Sequence, residues 1–124
     1  MTDSHLRVFL LEQEEAARLL VADRLNSTSN LVVIGATASH HDTAAALLGS
    51  RPNVVVFDHL PSNDDGHPFF GAARAIGAGL VLHCSIPPLP PPHDLRQMGV
   101  VAVVYKEVEK LEQLIAVISR FTGV

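Results

Sequence analysis

Three ionisable residues each stand directly after an apolar run of the chain: Glu12, Asp58 and Lys106. If the fold brings them to one crevice, the two carboxylates could hold a cation, and the lysine would pair with Asp58 or with an anion beside it. A hard divalent cation such as Mg²⁺ takes oxygen ligands and often needs only one or two protein carboxylates. The three residues therefore predict a polar site for a small cation, an anion or both.

The elements that must position these residues begin with five short apolar runs. The runs are continuous rather than alternating and rich in β-branched residues, which is typical of strands covered on both faces in a parallel sheet. Their centres lie roughly 20 to 25 residues apart, which leaves room for a helix between successive strands. The predicted strands are Val8–Leu11, Leu31–Ile34, Val54–Phe57, Leu80–Leu82 and Val100–Tyr105.

Helical patterns occupy the spacers between these runs. The first spacer places Leu19 and Leu20 on a predicted apolar face, and the second has strong helix formers followed by a possible terminating residue, Gly49. The prolines between residues 85 and 92 exclude a helix there and leave room only for a short one after them. The predicted helices are Gln13–Leu25, Asp42–Leu48, Phe69–Ile76, His93–Met98 and Val108–Phe121.

The alternation of strands and helices predicts an α/β fold, a doubly wound parallel sheet with helices on both faces. We expect residues 1–124 to form a single domain, because no repeat or linker divides them. In such sheets the chemistry lies outside the carboxyl ends of the strands. We further expect the first, third and fifth strands to be neighbours at the centre of the sheet, so that the three ionisable residues share one crevice.

Composition excludes several classes of protein. Nine Lys and Arg against 13 Asp and Glu give a formal charge of −4, which argues against a nucleic-acid-binding surface on this domain. No apolar run approaches the roughly 20 residues that a membrane-spanning helix needs, and the first residues lack the layout of a signal peptide. A single cysteine, Cys84, excludes an internal disulfide framework. These features predict a soluble, cytoplasmic protein.

The turn after the first apolar run excludes the common nucleotide-binding motifs. It reads Glu12-Gln13-Glu14-Glu15, with no glycine and with three carboxylates that would repel a phosphate. A dinucleotide fold needs G-x-G-x-x-G at this place, and the P-loop string G-x-x-x-x-G-K-[ST] does not occur in the chain. A flavin site of the flavodoxin type lacks its small hydroxyl residues here as well.

Four strings give the chain a resemblance to a known family. They are Leu6–Gln13, Arg51–Asp58, the pair Asp65-Gly66, and Met98–Lys106. In these strings the chain resembles the receiver (CheY-like) domain of bacterial two-component response regulators, and most of all the branch with an output domain of the NarL/LuxR type. The resemblance implies the flavodoxin-like strand order 2-1-3-4-5, here with a shortened fourth helix, and a signalling module rather than an enzyme.

The resemblance also implies roles for individual residues. Asp58 would accept a phosphoryl group from a partner sensor histidine kinase. The metal would be Mg²⁺, held by Glu12, Asp58 and Leu60, and the phosphoryl oxygens would meet Lys106 and a Thr/Ser position. That position is ambiguous among His83, Cys84 and Ser85, and the count back from Lys106 favours Cys84.

Partners follow from the same resemblance. A homodimer through the first and last helices is common in this branch of the family. DNA would be bound only through an output domain outside the 124 residues. A regulator other than a kinase stays open as the source of the signal.

The chain departs from the family pattern along the path from metal to output. The acidic pair is Glu12-Gln13, so one carboxylate is longer by a methylene and the second is neutral, which weakens Mg²⁺ binding. Cys84 is a poor hydrogen-bond donor, and Val103 stands where the family has an aromatic switch residue. We therefore interpret the chain as an atypical receiver with weak or absent Mg²⁺ binding and weakened phosphorylation.

Two alternatives remain open at this stage. The altered pocket could sense a small molecule instead of phosphate, with the proline-rich segment 86–92 as its wall. A metal-dependent hydrolase could use Asp58, His59 and Asp64, although neither the cluster formed by His59, Asp64, Asp65 and His67 nor the His40-His41-Asp42 string has the spacing of a zinc motif.

Overall fold

The computed structural model describes residues 5–60, 63–85, 92–106 and 110–121. Strands and helices alternate through this part of the chain. The strands are β1 (Leu6–Leu11), β2 (Leu31–Thr37), β3 (Val54–Phe57), β4 (Gly79–Cys84) and β5 (Val100–Tyr105). The helices are α1 (Glu15–Asn26), α2 (His40–Ser50), α3 (Asn63–Ile76), α4 (Pro92–Gln97) and α5 (Leu111–Ser119).

All strand pairs of the sheet are parallel, in the order β2-β1-β3-β4-β5. This confirms the predicted doubly wound fold and strand order. The expectation that the first, third and fifth strands are neighbours is wrong, because β4 lies between β3 and β5 and β5 is an edge strand. The long side chain of Lys106 therefore has to reach inward across β4 to meet groups at the ends of β1 and β3.

Two apolar clusters cover the two faces of the sheet. One cluster joins α2, α3 and α4 to the strands and contains Leu47, Phe69 and Leu95. The other joins α1 and α5 to the strands and contains Leu25 and Leu114. Every residue of β3 and β4 is buried, which is why both strands read as apolar runs, interrupted in β4 only by the buried His83.

The face of α1 that meets the sheet differs from the predicted one. Val21 and Leu25, four residues apart, are buried, whereas Leu19 and Leu20 are exposed. Residues four apart lie on one side of a helix, so the spacing of Val21 and Leu25 sets the inner face. The apolar content of the segment predicted a helix correctly but assigned the wrong residues to the core.

Several helix limits also differ from the prediction. Gly49 lies inside α2, which ends after Ser50, and Arg51 closes the helix in the left-handed conformation at φ 49°. Helix α3 begins at Asn63 and includes Pro68, which removes one hydrogen bond near its first turns without ending it. Helix α4 has six residues, as short as predicted. The predicted start at Val108 and the proline-rich segment 86–91 lie outside the described residues.

Close backbone contact explains a glycine in β2. A Cβ atom at Gly35 would lie 2.5 Å from the ring of Phe9 on β1, so only glycine leaves room for that buried ring. The pairing of β1 with β2 shifts register beside this contact. In the described part of the chain no helix is long and apolar enough to cross a membrane.

Candidate functional site

The carboxyl ends of the strands border a cleft of about 510 Å³. All six residues to which the sequence assigned a role line it: Glu12, Asp58, Leu60, Cys84, Ser85 and Lys106. Gln13 and His59 line it too. The fold therefore places these positions together, as the strand-end argument predicted.

Lys106 forms its ion pair with Glu12. Its Nζ donates to Oε1 of Glu12 at 2.7 Å, and the Glu12 side chain is only 4% exposed while that of Lys106 is 30% exposed. The expected pairing of Lys106 with Asp58 is therefore wrong in this structure. Glutamate is longer than aspartate by one methylene, so the carboxylate at the end of β1 reaches the ammonium group that arrives from the sheet edge.

The Asp58 carboxylate is held by two other donors. The backbone N–H of Gln13 donates to Oδ2 at 2.9 Å, and Nδ1 of His59 lies 2.5 Å from Oδ1. Because an ionised carboxylate only accepts, the histidine Nδ1 is the donor in this contact. The Asp58 side chain is 8% exposed, so it meets the cleft through a narrow opening.

Local hydrogen bonds fix the turn that carries Glu12 and Gln13. The N–H of Glu12 donates to the carbonyl of Thr37 at 3.0 Å, which extends the pairing of β1 with β2. Arg18 on α1 donates to the Glu12 carbonyl at 2.9 Å. These contacts aim the Gln13 N–H at Asp58 and anchor the start of α1 beside the cleft.

Burial and neighbouring groups separate the pKa values of the two carboxyl groups. Burial raises the pKa of Glu12, and the nearby Asp58 carboxylate adds to this, while Lys106 opposes it. Burial alone would raise the pKa of Asp58 too, but the hydrogen bond from the Gln13 N–H, the contact with the Glu12 carboxyl group and the hydrogen bond from His59 outweigh it, so this pKa is lowered. Asp58 is thus the carboxyl group that stays ionised more readily, as a nucleophile must.

The donor set fits Mg²⁺ poorly. Mg²⁺ requires oxygen ligands in near-octahedral geometry, usually with one or two carboxylates. Here the Glu12 carboxylate is engaged by Lys106 and both Asp58 oxygens accept hydrogen bonds, while Gln13 offers a neutral side chain. Among the residues that the structure describes, no group of three or more His, Cys, Asp or Glu is arranged to hold a metal ion.

Two of the three candidates for the Thr/Ser position, Cys84 and Ser85, line the cleft. Cys84 is buried and its carbonyl accepts the N–H of Lys106 at 2.8 Å, so the two positions are joined through the backbone. Ser85 is exposed at the cleft, and His83 is not among the residues that line it. The ambiguity left by the sequence thus narrows to Cys84 and Ser85.

Two histidines near the cleft have contacts that the sequence did not reveal. His59 caps Asp58, and Nε2 of the buried His40 donates to the His59 carbonyl at 2.9 Å. The sequence placed both residues in hypothetical metal sites. In the structure His41 and Asp42 are exposed on α2, and the side chains of residues 63–67 lie outside the described part. The adjacency of His59 to Asp58 was the one available signal.

Comparison with solved structures identifies the fold. The response regulator domain of CheB from Thermotoga maritima superposes with a TM-score of 0.79 at 14% identity, covering 97% of this chain and 98% of that chain. A DNA-binding response regulator of the LuxR family from Staphylococcus aureus gives 0.80 at 16%, covering 94% and 98%. The signal receiver domain of a response regulator NarL from Mycobacterium tuberculosis gives 0.79 at 16%, covering 98% and 99%.

Sequence comparison contributes nothing further. No family model matches the chain, and no curated protein matches it in sequence. The chain therefore resembles these proteins in its backbone fold, over almost the whole length of the two chains compared. This chain has the flavodoxin-like fold of response-regulator receiver domains.

Proposed function

We propose that this chain is an atypical receiver module of two-component signalling, with Asp58 as its phosphoacceptor and with weakened Mg²⁺-dependent phosphorylation. The observation that carries the proposal is the cleft in which Asp58, Glu12 and Lys106 meet at the carboxyl end of a receiver-type sheet. A sensor histidine kinase is the proposed phosphoryl donor. An output domain or partner outside these residues would read the phosphorylated state and make any contact with DNA.

The chemistry asks little of the protein beyond placement and charge. An oxygen of Asp58 forms a bond to phosphorus while the bond from phosphorus to the donor atom breaks, and the electron pair of that bond leaves with the donor. Repulsion between the carboxylate and the phosphoryl oxygens opposes this step, so a nearby positive charge lowers its barrier. Lys106 lines the cleft and is partly exposed, so it can supply this charge. Because its ammonium group already pairs with Glu12, a phosphoryl group would share that charge with the Glu12 carboxylate.

Weakened phosphorylation follows from the same donor set. Gln13 removes one negative ligand, and internal hydrogen bonds already satisfy Glu12 and Asp58. A metal or a phosphoryl donor must break these contacts before it can take their place. We therefore propose slow transfer with a low affinity for Mg²⁺.

The test is covalent labelling by acetyl phosphate with Mg²⁺, followed as intact mass. We expect the chain to gain one phosphoryl group slowly, with acetate as the leaving group, and the Asp58→Ala variant to gain none. Gln13→Asp should label faster because it restores the second carboxylate, whereas Gln13→Asn, neutral and of the same size, should not. Failure of both the parent and Gln13→Asp to label, or equal labelling of Asp58→Ala, would overturn the proposal.

The size and lining of the cleft favour a second candidate, a sensor of a small molecule. Its volume of about 510 Å³ lies within the range of ligand pockets, roughly 300–1,000 Å³. Leu60 and Leu82 supply apolar wall opposite the charged groups. A thermal-shift screen of metabolites decides this case, since a ligand at 100 times its Kd stabilises by about 2.7 kcal/mol. A flat response across the screen would remove it.

A further inference from the structure

Both oxygens of Asp58, either of which could attack phosphorus, already have partners within the chain. Nδ1 of His59 lies 2.5 Å from Oδ1, while the Gln13 N–H binds Oδ2. A hydrogen bond to a carboxylate is among the stronger ones that neutral side chains make. Each oxygen of the phosphoacceptor is therefore engaged by a donor from the chain itself.

His59 is held in this position from a second side. Nε2 of His40 donates to the His59 carbonyl at 2.9 Å, and the two imidazole rings meet edge to face with their centres 4.3 Å apart. His40 belongs to α2 and is itself packed edge to face against Phe69, with ring centres 5.0 Å apart. A buried ring thus fixes the backbone of the residue that caps Asp58.

The His59 side chain is open to solvent on one side. Its side chain is 35% exposed, whereas the Asp58 side chain is 8% exposed. Rotation of the imidazole toward solvent would uncover Oδ1 without moving β3. The inner anchor through His40 acts on the carbonyl and does not oppose rotation of the side chain directly.

We propose that His59 is a positioning residue that masks the phosphoacceptor, with His40 as the residue that holds the mask in place. The inference rests on the proposed function, because it concerns the reactivity of Asp58. Each carboxylate oxygen has two lone pairs, and the His59 N–H engages one of those on Oδ1 and lowers the nucleophilicity of that oxygen. Attack by Oδ1 is therefore slower while the hydrogen bond is in place; the new oxygen–phosphorus bond forms as the bond from phosphorus to the acetate or kinase group breaks.

The first measurement is the rate of labelling by acetyl phosphate with Mg²⁺ in the full chain. His59→Ala should label about tenfold faster than the parent, because Oδ1 then attacks without a hydrogen-bond donor that lowers its nucleophilicity. His40→Phe keeps a ring against Phe69 but removes the donor to His59, and a smaller increase in rate is expected. His41→Ala, on the exposed side of the same helix, should match the parent.

The second measurement is a correlation spectrum of the histidine ring nitrogens, which does not depend on phosphorylation. Asp58→Ala should shift the ring signals of His59 and leave those of His41 in place. Equal labelling rates for the parent and His59→Ala would overturn the inference and leave the proposed function standing. If neither labels, the proposed function fails, and the His59 contact is then judged by the spectrum alone: unmoved His59 signals would overturn it as well.

Discussion

Replacing Lys106 by Met tests the charge balance of the cleft. The substitution keeps the apolar stem but removes the ammonium group that lies 2.7 Å from a Glu12 carboxylate that is 4% exposed. A hydrogen bond to a charged group contributes about 1.5–3 kcal/mol to stability, and partial exposure of Lys106 lowers this. We expect Lys106→Met to reduce the free energy of unfolding by about 1–2 kcal/mol at neutral pH.

The loss should depend on pH in a defined direction. Burial raises the pKa of Glu12 above its ordinary value of 4.5, and Lys106 opposes that rise. When a carboxyl group has a raised pKa in the folded state, the free energy of unfolding falls as the pH rises, because the group ionises at a lower pH in the unfolded chain. Without Lys106 the pKa rises further, so the variant should lose more stability than the parent above pH 4.5 and nearly match it below.

Urea unfolding between pH 4 and pH 8 measures this difference. Lys110→Met is the matched control, because Lys110 is exposed before α5 and its loss should change stability by no more than about 0.5 kcal/mol. Glu12→Gln combined with Lys106→Met should remove the additional pH dependence that Lys106→Met introduces, since residue 12 then has no carboxyl group to titrate. A difference between Lys106→Met and the parent that stays constant across this pH range would refute the assignment to Glu12.

Two further predictions concern packing and are checked by the same urea unfolding. Gly35→Ala should reduce the free energy of unfolding by about 1–3 kcal/mol, because its Cβ would meet the buried Phe9 ring. Gly49→Ala, where a Cβ meets no described atom within 4 Å, should instead stabilise α2 by about 0.5–1 kcal/mol. Equal effects of the two substitutions would contradict the steric account. Phe69→Ala should cost about 3–5 kcal/mol because the ring is fully buried, and a loss below 1 kcal/mol would show that the core collapses around it.

The predictable part of the fold is the part that burial on two faces dictates. The runs that became β3 and β5 have the predicted limits. For β3 the reason is that a strand covered by helices on both sides must be apolar at every position, whereas β5 is an unbroken apolar run although it is an edge strand in which Val101 is exposed. Helix limits were less predictable. Arg51 ends α2 in a conformation that usually favours glycine, and the sequence offered Gly49 as the better candidate.

The position of the site was predictable, but its internal contacts were not. Strand ends in a doubly wound sheet meet at one edge, so Glu12, Asp58 and Lys106 had to approach one another. Which acid the lysine would bind depends on the reach and rotamers of the side chains, and residue spacing does not contain these. The hydrogen bond from His59 depends on the rotamer of its side chain and on a backbone position that is held by His40, a residue distant in sequence.

The departures from the receiver pattern form one consistent arrangement. Gln13 is neutral, and three carboxylates line the cleft: Glu12 and Asp58, which are balanced by Lys106 and by hydrogen bonds from Gln13 and His59, and the exposed Glu14. A site balanced in this way has less to gain from a divalent cation than one with unpaired carboxylates, because every new ligand bond replaces an existing contact. Restoring the acid at position 13 should therefore strengthen Mg²⁺ binding fully only when His59 is also removed. In a labelling assay, the double variant Gln13→Asp with His59→Ala should increase the labelling rate by more than the product of the two single increases. An increase equal to that product would show that the two residues act independently.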